Sequence, residues 1–385
     1  MGEAAEKLTH DSAIRFSIAR SALLKSLARL QPIVEKRNTI PILANIKLAL
    51  ADNVLQLTAT DMDLVATEET ECVVEESGAL TVPAQTFYDI VRKLPDGAQI
   101  TLDTDTDSGQ VIVEAGAARF ALPYLPADDF PVLAQGNLSH EFTLDTDDFL
   151  NLIDKSRFAM STEETRYYLN GVYFHAAGSE ETPTLRSVAT DGHRLALIES
   201  SLPKGAAGMP GVIIPRKTVN ELHKLFEEQA DEITVSLSEN KIRFAAGRLI
   251  LLSKLVDGTF PDYGRAIPQN NSKVLDVDRL ALTKAVDRVS TISTEKTRSI
   301  KFTLSPGNLV LTAQSPEAGT AKEELEVTYA ADELETGFNS RYMLDMLSQL
   351  EGDSVQFLLS DANAPALVSD PSDVRAQYVI MPMRV

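Results

Sequence analysis

Apolar residues recur at helical spacing near the start of three similar stretches of this chain. In the first stretch Leu23, Leu27 and Leu30 fall at positions i, i+4 and i+7. Such a stripe is typical of a helix that packs one face on a core. The equivalent positions in the third stretch are Leu282, Val286 and Val289. A short strand precedes each stripe, so the pattern predicts helices over residues 21–30, 147–158 and 278–289.

Alternating apolar and polar segments follow these helices and are separated by residues that favour tight turns. Residues 42–50 and 54–60 flank Ala51-Asp-Asn53, which predicts an antiparallel hairpin. A second helix is predicted in each stretch, over residues 86–94, 218–228 and 341–350. Each stretch is therefore predicted to be an α+β domain, with two helices on one side of antiparallel sheets.

Short peptides repeat at a spacing as long as a whole domain. Ser161-Thr-Glu-Glu-Thr-Arg166 returns as Ser293-Thr-Glu-Lys-Thr-Arg298, 132 residues later, and Val82-Pro-Ala-Gln-Thr86 returns at the same spacing as Ile214-Pro-Arg-Lys-Thr218. This period is far too long for a solenoid repeat. We therefore expect three tandem copies of one domain. Their predicted limits are 14–136, 137–270 and 271–385, after an N-terminal extension of residues 1–13 that we expect to be disordered.

The net charge of −20 argues against a uniformly basic surface for nucleic acid, because an acidic molecule repels phosphates. Lysines and arginines nevertheless lie on the polar faces of all six predicted helices, whereas acidic residues concentrate in strands and loops. One basic helix face is usually only a solvated surface, but the same bias in six helices predicts a basic interior within an acidic exterior. These cations are Lys25, Arg29, Arg92, Lys93, Lys155, Arg157, Lys217, Lys224, Lys284, Arg288 and Arg341.

Composition and motifs narrow the function further. Cys72 is the only cysteine, which excludes an intrachain disulfide and favours a reducing cytoplasm; we expect it to be a small core residue of a strand. No apolar run approaches the ~20 residues that span a bilayer, so we expect no membrane segment. Phosphate-binding glycine loops and nucleophile elbows are absent. Asp191 and His193 could serve a metal-dependent hydrolase, but no second histidine stands at ligand spacing from His193.

The C-terminal segment Tyr378-Val-Ile-Met-Pro-Met-Arg-Val385 allows two interpretations. It could be a final edge strand, where Pro382 is tolerated. Alternatively, Met381 and Met383 could wall a pocket for apolar ligands, because flexible thioethers adapt to several shapes. The residues alone leave both interpretations open.

Several longer motifs resemble one known family. Arg166-Tyr-Tyr-Leu-Asn-Gly171, Ala189-Thr-Asp-Gly-His-Arg-Leu195 and Met381-Pro-Met-Arg384 are similar to signature segments of the bacterial sliding clamp, the beta subunit of DNA polymerase III. So is the segment from Ser253 to Tyr263, and the resemblance extends from about Ile14 to Val385. It implies the DNA-clamp fold, in which a head-to-tail homodimer closes a ring of six similar domains, with helices inside and antiparallel sheets outside.

The resemblance also implies a function in DNA replication. Duplex DNA would pass through the ring without sequence-specific contacts, and the ring would tether the replicative polymerase, the clamp loader and other partners through short linear motifs. Such a processivity factor has no catalytic residues, metal or cofactor, and it works in the bacterial cytoplasm at the nucleoid and replication fork. Two alternatives remain open: a repeat scaffold that never encircles DNA, and the metal-dependent hydrolase.

Three sets of site residues follow from the resemblance by position. The dimer interface would join Phe120 and Leu122 to Ile292. The DNA contacts would be Arg37 and Tyr167, together with the helix cations Lys25, Arg29, Lys155 and Arg288. The partner-peptide pocket would comprise Arg166, Tyr168, Leu169, Thr190, Gly192, His193, Arg194, Leu195, Pro261, Arg265, Tyr342, Val379, Met381, Pro382, Met383 and Arg384. Ala266, Asn363 and Pro365 depart from the family pattern near this pocket, which leaves the preferred peptide open, and Glu163 is not carried over as a DNA contact.

Overall fold

The computed structural model describes residues 13–35, 40–293 and 298–384. The first repeat comprises β1 Arg15–Ala19, α1 Arg20–Leu30, β2 Asn45–Ala51, β3 Val54–Thr60, β4 Leu64–Glu71, β5 Val73–Glu76, β6 Gly78–Pro83, α2 Ala84–Lys93, β7 Gln99–Asp105, β8 Gln110–Ala115, β9 Ala118–Pro123 and β10 Leu125–Pro126. The predicted extension, apart from Ala13, lies outside the described residues.

The second and third repeats follow the same basic order, a strand and a helix, then a run of strands, a second helix and further strands, although the number of strands differs between repeats. The second comprises β11 His140–Asp145, α3 Thr146–Arg157, β12 Gly171–Gly178, β13 Pro183–Thr190, β14 Arg194–Ser201, β15 Val212–Pro215, α4 Arg216–Phe226, β16 Glu232–Leu237, β17 Lys241–Ala246 and β18 Leu249–Lys254. The third comprises β19 Lys273–Asp278, α5 Arg279–Ser290, β20 Ser299–Ser305, β21 Asn308–Ser315, β22 Gly319–Glu326, β23 Thr328–Tyr329, β24 Leu334–Asn339, α6 Ser340–Leu347, β25 Ser354–Leu359, β26 Ala366–Asp370 and β27 Asp373–Ile380.

These elements confirm the predicted α+β class and the helical stripes. Leu23, Leu27 and Leu30 are fully buried on the inner face of α1, and the stripe of α5 is buried in the same way. The predicted hairpin joins β2 to β3 through Asp52 and Asn53, whose φ angles of 50° and 60° belong to the turn type that matches strand twist. The apolar spacing was sufficient to predict which side of each helix is buried, because each stripe packs against a single hydrophobic core.

Two antiparallel sheets of nine strands each continue across a boundary between repeats. One has the order β10-β6-β2-β3-β4-β18-β17-β16-β11, and the other has the order β15-β12-β13-β14-β27-β26-β25-β19-β23. The joining pairs are β4 with β18 and β14 with β27. The remaining sheets are smaller, with the orders β5-β1-β7-β8-β9 and β22-β21-β20-β24. The same kind of strand pair therefore joins the second repeat to each of its neighbours.

The chain forms two compact units. One contains the described residues up to Asp147 together with Asn220–Leu255, and the other contains Asp148–Val219 together with Val256 and the described residues after it. The second repeat is thus shared between the units, because each of its two four-stranded halves belongs to a nine-stranded sheet. The domain limits expected from the sequence stay a prediction.

Cys72 differs from its expected place. It lies between β4 and β5 and is half-buried, so the prediction of a core residue within a strand is wrong. Burial nevertheless raises the pKa of its thiol to about 11, which keeps the sulfur protonated and unreactive at neutral pH. Within the described ranges, no helix is both long and apolar enough to cross a membrane.

Candidate functional site

The turn between β13 and β14 forms one wall of the candidate pocket. Asp191 Oδ1 accepts hydrogen bonds from the backbone nitrogens of His193 (2.9 Å) and Arg194 (3.0 Å). Thr190 Oγ1 accepts from the Gly192 nitrogen at 3.1 Å and donates to the Arg194 carbonyl at 2.6 Å. Asp191 is therefore occupied in holding the turn, and His193 is exposed beside it.

Arg194 connects this turn to helix α6. Its Nε lies 3.1 Å from Asp191 Oδ2, and its Nη1 lies 2.6 Å from Asp345 Oδ2. The guanidinium also lies over the Tyr342 ring, 4.3 Å from its centroid. His193 stacks on the same ring, with the centroids 6.2 Å apart. The predicted residues Arg194, His193 and Tyr342 thus meet at the Tyr342 ring, and Asp345, which no sequence motif indicated, also binds Arg194.

The floor beneath this wall is apolar. Leu169, Leu195 and Val379 are buried in one cluster, against which Tyr168 packs while partly exposed. The cluster also contains Phe260, which stacks flat on Tyr173 at a centroid distance of 4.9 Å. Sequence reasoning did not place Phe260 in the pocket, although Phe260-Pro261 repeats the earlier Phe-Pro pair of the chain. This floor suits apolar side chains better than a charged substrate.

The C-terminal residues border the same wall. Met381 donates its backbone N–H to the His193 carbonyl at 2.8 Å, and Met383 donates to the Gly337 carbonyl at 2.8 Å. Met381 keeps 39% of its surface exposed, and Pro382 and Met383 are half-buried. β27 itself pairs with β14 on one side and β26 on the other, so the interpretation as an edge strand is wrong.

Arg166 and Gly192 lie together at another side of the cleft. Arg166 donates from Nε and Nη2 to the two carboxylate oxygens of Glu163, at 2.8 and 2.5 Å. Those hydrogen bonds raise the pKa of Arg166 and lower the pKa of Glu163. Gly192 has a φ of 89°, and a Cβ there would stand 2.8 Å from Arg166 Nη1. The conformation at this position therefore favours glycine, and a Cβ would also require the end of the Arg166 side chain to shift.

The remaining predicted pocket residues lie on exposed segments. Pro261 is exposed, and Arg265 is largely exposed and paired with Asp262 at 2.9 Å. Arg384 is also exposed. No described contact joins these three side chains to the wall. Of the residues that depart from the family pattern, Ala266 and Asn363 are exposed and Pro365 is half-buried.

The helix cations divide into exposed and buried groups. Lys25 is exposed and stands 3.8 Å from Glu228, and Arg288 is exposed beside Glu323. Tyr167 is exposed as well, whereas Arg37 lies outside the described residues. These positions leave Lys25 and Tyr167 accessible to a phosphate backbone.

Arg29 and Lys155 do not lie on exposed helix faces, and that expectation is wrong. Arg29 donates to Glu68 at 2.8 Å, and Lys155 lies 3.1 Å from Asp373. Only 11% of either cationic side chain is exposed. Burial raises the pKa of Glu68, and the neighbouring Arg29 opposes that shift. Both cations stabilise the fold through these pairs, because a carboxylate buried without its partner would be costly.

The predicted interface residues lie on β9, in the first repeat, and just after α5. Phe120 is 37% exposed and Leu122 only 5%, so Leu122 is already covered by its own chain. Phe120 borders an open groove of about 460 Å³ beside α2, whose other lining residues include Ile90, Leu94 and Pro95. Ile292 is half-buried. An exposed aromatic ring beside an apolar groove is typical of a protein contact.

The site offers little for catalysis or metal binding. Across residues 13–35, 40–293 and 298–384, no group of three or more His, Cys, Asp or Glu side chains could hold a metal ion. Both carboxylate oxygens of Asp191 are used within its own turn. The hydrolase alternative is therefore not supported.

Comparisons with known proteins agree with this geometry. Models of the N-terminal, central and C-terminal domains of the DNA polymerase III beta subunit match residues 14–134, 143–262 and 264–384. The beta sliding clamp of Caulobacter vibrioides is 48% identical over 372 residues, which are 97% of this chain and 100% of that protein. The beta sliding clamp of Escherichia coli K12 is 40% identical over 375 residues, with the same coverage of 97% and 100%.

Solved structures show the same relationship. A crystal structure of the C. crescentus beta sliding clamp has a TM-score of 0.95 at 48% identity, covering 97% of this chain and 99% of that one. The sliding clamp of Bartonella birtlesii, crystallised with griselimycin bound, has a TM-score of 0.94 at 48% identity and covers 97% of this chain and 100% of its own.

Proposed function

The chain belongs to the family of DNA polymerase III beta subunits, the bacterial beta sliding clamps, and from this membership we propose which of its residues build the ring and its sites. The protein is a processivity factor of DNA replication without catalytic activity of its own. Two copies join head to tail around duplex DNA, and the ring slides along the duplex because phosphate contacts do not depend on sequence.

The observation that supports the ring is the pair of incomplete sheets. Both junctions within the chain are nine-stranded sheets, whereas the two remaining sheets have five and four strands. Each of these sheets has one edge strand, β9 in the first and β22 in the second, that is the repeat equivalent of a strand pairing at the internal junctions. Pairing β9 of one copy with β22 of the next would complete a third nine-stranded sheet. A heterologous contact of this kind closes a ring of two copies when it forms at both of the interfaces between them.

The repeats also predict the register of the new strand pair. Phe120, Leu251 and Tyr378 are equivalent, because each pairs with the same position of the preceding strand of its hairpin. Leu251 pairs with Ala66 and Tyr378 pairs with Ala196. Ala66 and Ala196 also occupy equivalent positions in their own hairpins, where they pair with Ala59 and Ala189. The corresponding pair in the third repeat is Ala313 with Ala321, so Ala321 is the equivalent of Ala66 and Ala196. Phe120 should therefore stand opposite Ala321 of the partner subunit.

Burial supports this assignment. Leu251 and Tyr378 are completely buried at the internal junctions, whereas Phe120 keeps 37% of its surface exposed. A second copy would cover Phe120 and its groove, and Ile292 of the partner subunit is the apolar residue that we assign to that groove. Burying each large apolar side chain contributes about 1.5–3 kcal/mol.

We assign DNA contacts to Lys25 and Tyr167, and to Arg37 by resemblance. Arg29 and Lys155 are left out because their charges are neutralised within the chain. An acidic exterior, set by the net charge of −20, keeps other duplexes from the outer surface. The result is a topological link to DNA rather than tight binding.

The cleft bounded by Gly192, Arg194, Tyr342 and the C-terminal methionines is the proposed site for short linear peptides of the polymerase, the clamp loader and other partners. Two or three apolar anchors at about 1.5–3 kcal/mol each support roughly micromolar affinity, which allows partners to exchange. That the related B. birtlesii clamp binds griselimycin supports a ligand site on this fold. The exposed Arg265 and Arg384 are proposed to contact such peptides only when they are bound.

Retention on circular DNA tests the ring. We expect a dimer by solution mass that stays on nicked circular DNA after loading and is released when the circle is linearised. A monomer at all concentrations would contradict the ring. A dimer released equally from circular and linear DNA would instead indicate a scaffold that does not encircle DNA.

The cell compartment and the domain limits follow from the same proposal. The protein is proposed to work in the bacterial cytoplasm, at the nucleoid and the replication fork. Its three clamp domains are proposed to span 14–136, 137–270 and 271–385, consistent with the three matched segments.

A further inference from the structure

The first helix of each repeat carries a cation at its tenth residue. These cations are Arg29 in α1, Lys155 in α3 and Arg288 in α5. Each helix begins in the same way, because its first residue donates a backbone hydrogen bond of 2.9 Å to the carbonyl just before a later strand of its own repeat. The three acceptors are Ala98, Asp231 and Asp353. These bonds define equivalent positions independently of any sequence alignment.

Two of the cations reach a loop of the following repeat. The Gln229 side-chain amide lies 2.6, 2.8 and 3.0 Å from the guanidinium nitrogens of Arg29, as expected for an amide oxygen that accepts from them. Lys155 Nζ lies 3.3 Å from Glu351. Gln229 and Glu351 are equivalent, because each stands two residues before the acceptor at position 231 or 353. Equivalent positions therefore meet at both internal junctions, through a guanidinium–amide hydrogen bond at one and an ion pair at the other.

Arg288 lies in the third repeat, and no described contact joins it to a loop equivalent to those of Gln229 and Glu351. It pairs with Glu323, yet its side chain is 58% exposed, whereas the equivalent side chains of Arg29 and Lys155 are only 11% exposed. The loop residue equivalent to Gln229 and Glu351 in the first repeat is Asp96, two residues before Ala98. The Asp96 side chain is 96% exposed. The two residues equivalent to each internal pair are thus both exposed, Asp96 in the first repeat and Arg288 in the third.

We propose that Arg288 forms an ion pair with Asp96 of the partner subunit at both subunit interfaces. The inference rests on the head-to-tail dimer proposed above, and it assigns to the interface a cation that the helix pattern had assigned to DNA. Arg288 would then lie between Glu323 and Asp96 of the partner subunit, as Lys155 lies between Asp373 and Glu351.

The atoms required for this pair are available. Arg288 uses Nε and Nη2 to bind Glu323, and Asp96 uses Oδ1 to accept from Arg20. Among the described residues, Arg288 Nη1 and Asp96 Oδ2 make no hydrogen bond. A guanidinium can bind two carboxylates at once through separate nitrogens. Strand pairing between β9 and β22 would place both residues at the same junction.

A double-mutant cycle on the full chain tests the ion pair. We expect Arg288→Gln and Asp96→Asn each to weaken one interface about threefold to tenfold. Complete dissociation opens two interfaces, so the dimer dissociation constant should rise roughly tenfold to a hundredfold. The dimer dissociation constant of the double variant should not exceed that of the single variant with the larger constant, because both changes remove the same contact. Sedimentation at several concentrations measures these constants.

Lys284→Gln is the matched control. Lys284 lies one turn before Arg288 on α5 and is exposed. Its equivalent, Lys25, stands near Glu228, but the residue before Asp96 in the first repeat is Pro95, which carries no charge. Lys284→Gln should therefore change the dimer dissociation constant less than twofold, although it removes the same charge.

The outcomes separate this inference from the ring itself. If the unsubstituted chain never dimerises, the ring proposal fails. If it dimerises but the two single variants leave the constant unchanged, or their effects add fully in the double variant, the ion pair is overturned and the ring stands. If Arg288→Gln instead lowers the salt dependence of DNA retention while the dimer constant stays the same, Arg288 contacts DNA rather than Asp96. All variants should remain folded as the parent does, since the side chains of Arg288 and Asp96 are exposed.

Discussion

Replacing Gly192 by Ala tests the peptide pocket at its tightest point. Gly192 has a φ of +89°, and a left-handed conformation costs a residue with a Cβ about 1–2 kcal/mol. The new Cβ would also stand 2.8 Å from Nη1 of Arg166. Arg166 can make room only if the end of its side chain moves, which would disturb its two hydrogen bonds to Glu163. The substitution should therefore displace Arg166 as well as destabilise the turn.

Gly307→Ala provides the matched control for backbone strain. Gly307 has a φ of +77°, and a Cβ there would have no atom within 4 Å. Both variants should lose a similar amount of unfolding free energy, about 1–2 kcal/mol, and show similar shifts in Tm. Only Gly192→Ala should weaken the binding of a fluorescent polymerase-derived peptide, by roughly tenfold, which corresponds to about 1.4 kcal/mol. The control should bind within about twofold of the parent.

The interpretation depends on the difference between these two variants. Equal peptide affinities for Gly192→Ala and Gly307→Ala would refute the pocket geometry, because strain alone would then account for everything observed. A further test uses an Arg166→Ala background, in which the obstructing side chain is absent. Gly192→Ala should add little to the loss of affinity there, since both changes act through the same guanidinium.

Three other outcomes are expected. Deleting residues 381–385 removes the two methionines that border the pocket and the hydrogen bond from Met381 to His193, so peptide affinity should fall at least tenfold. The dimer and its retention on circular DNA should persist. Unchanged peptide affinity would contradict the proposed pocket. Changing Phe120 and Ile292 to Ala should favour monomer at nanomolar concentration, at about 2–5 kcal/mol per buried site, and a stable dimer would show that the interface lies elsewhere. Neutralising Lys25 should lower the salt slope of DNA association by about one for each phosphate that the side chain binds. Lys155→Gln should destabilise the fold instead. Equal salt slopes for the parent and the Lys25 variant would exclude a DNA contact by Lys25.

The apolar stripes, the turn residues and the peptide repeats were enough to predict the α+β class, the six helices and a threefold architecture. Leu23, Leu27 and Leu30 show why: spacing along one helix is a local property, and the side facing the core follows directly from it. The motif around Asp191 to Leu195 likewise indicated the right part of the cleft. Its side chains are close in sequence, and one turn brings them together.

Charge at a helix position could not be interpreted locally. Lys25 and Arg29 lie one turn apart on α1 and look alike in the sequence, yet the first is exposed and the second is buried against Glu68. What separates them is a strand 39 residues away in sequence. The same holds for Lys155, whose partner Asp373 is 218 residues distant. No pattern along the chain records such a partner.

Short-range patterns and contiguous motifs were sufficient to identify the repeated domain and the family. The interior position of β27, the ion pair between Arg194 and Asp345, and the division of the second repeat between two units could be seen only in the folded chain. The physical reason is that strand order and ion pairing depend on contacts between distant segments, which form only when the whole sheet assembles. The incomplete sheets ending at β9 and β22 are likewise features that only the folded chain reveals. A second copy of the chain would complete them.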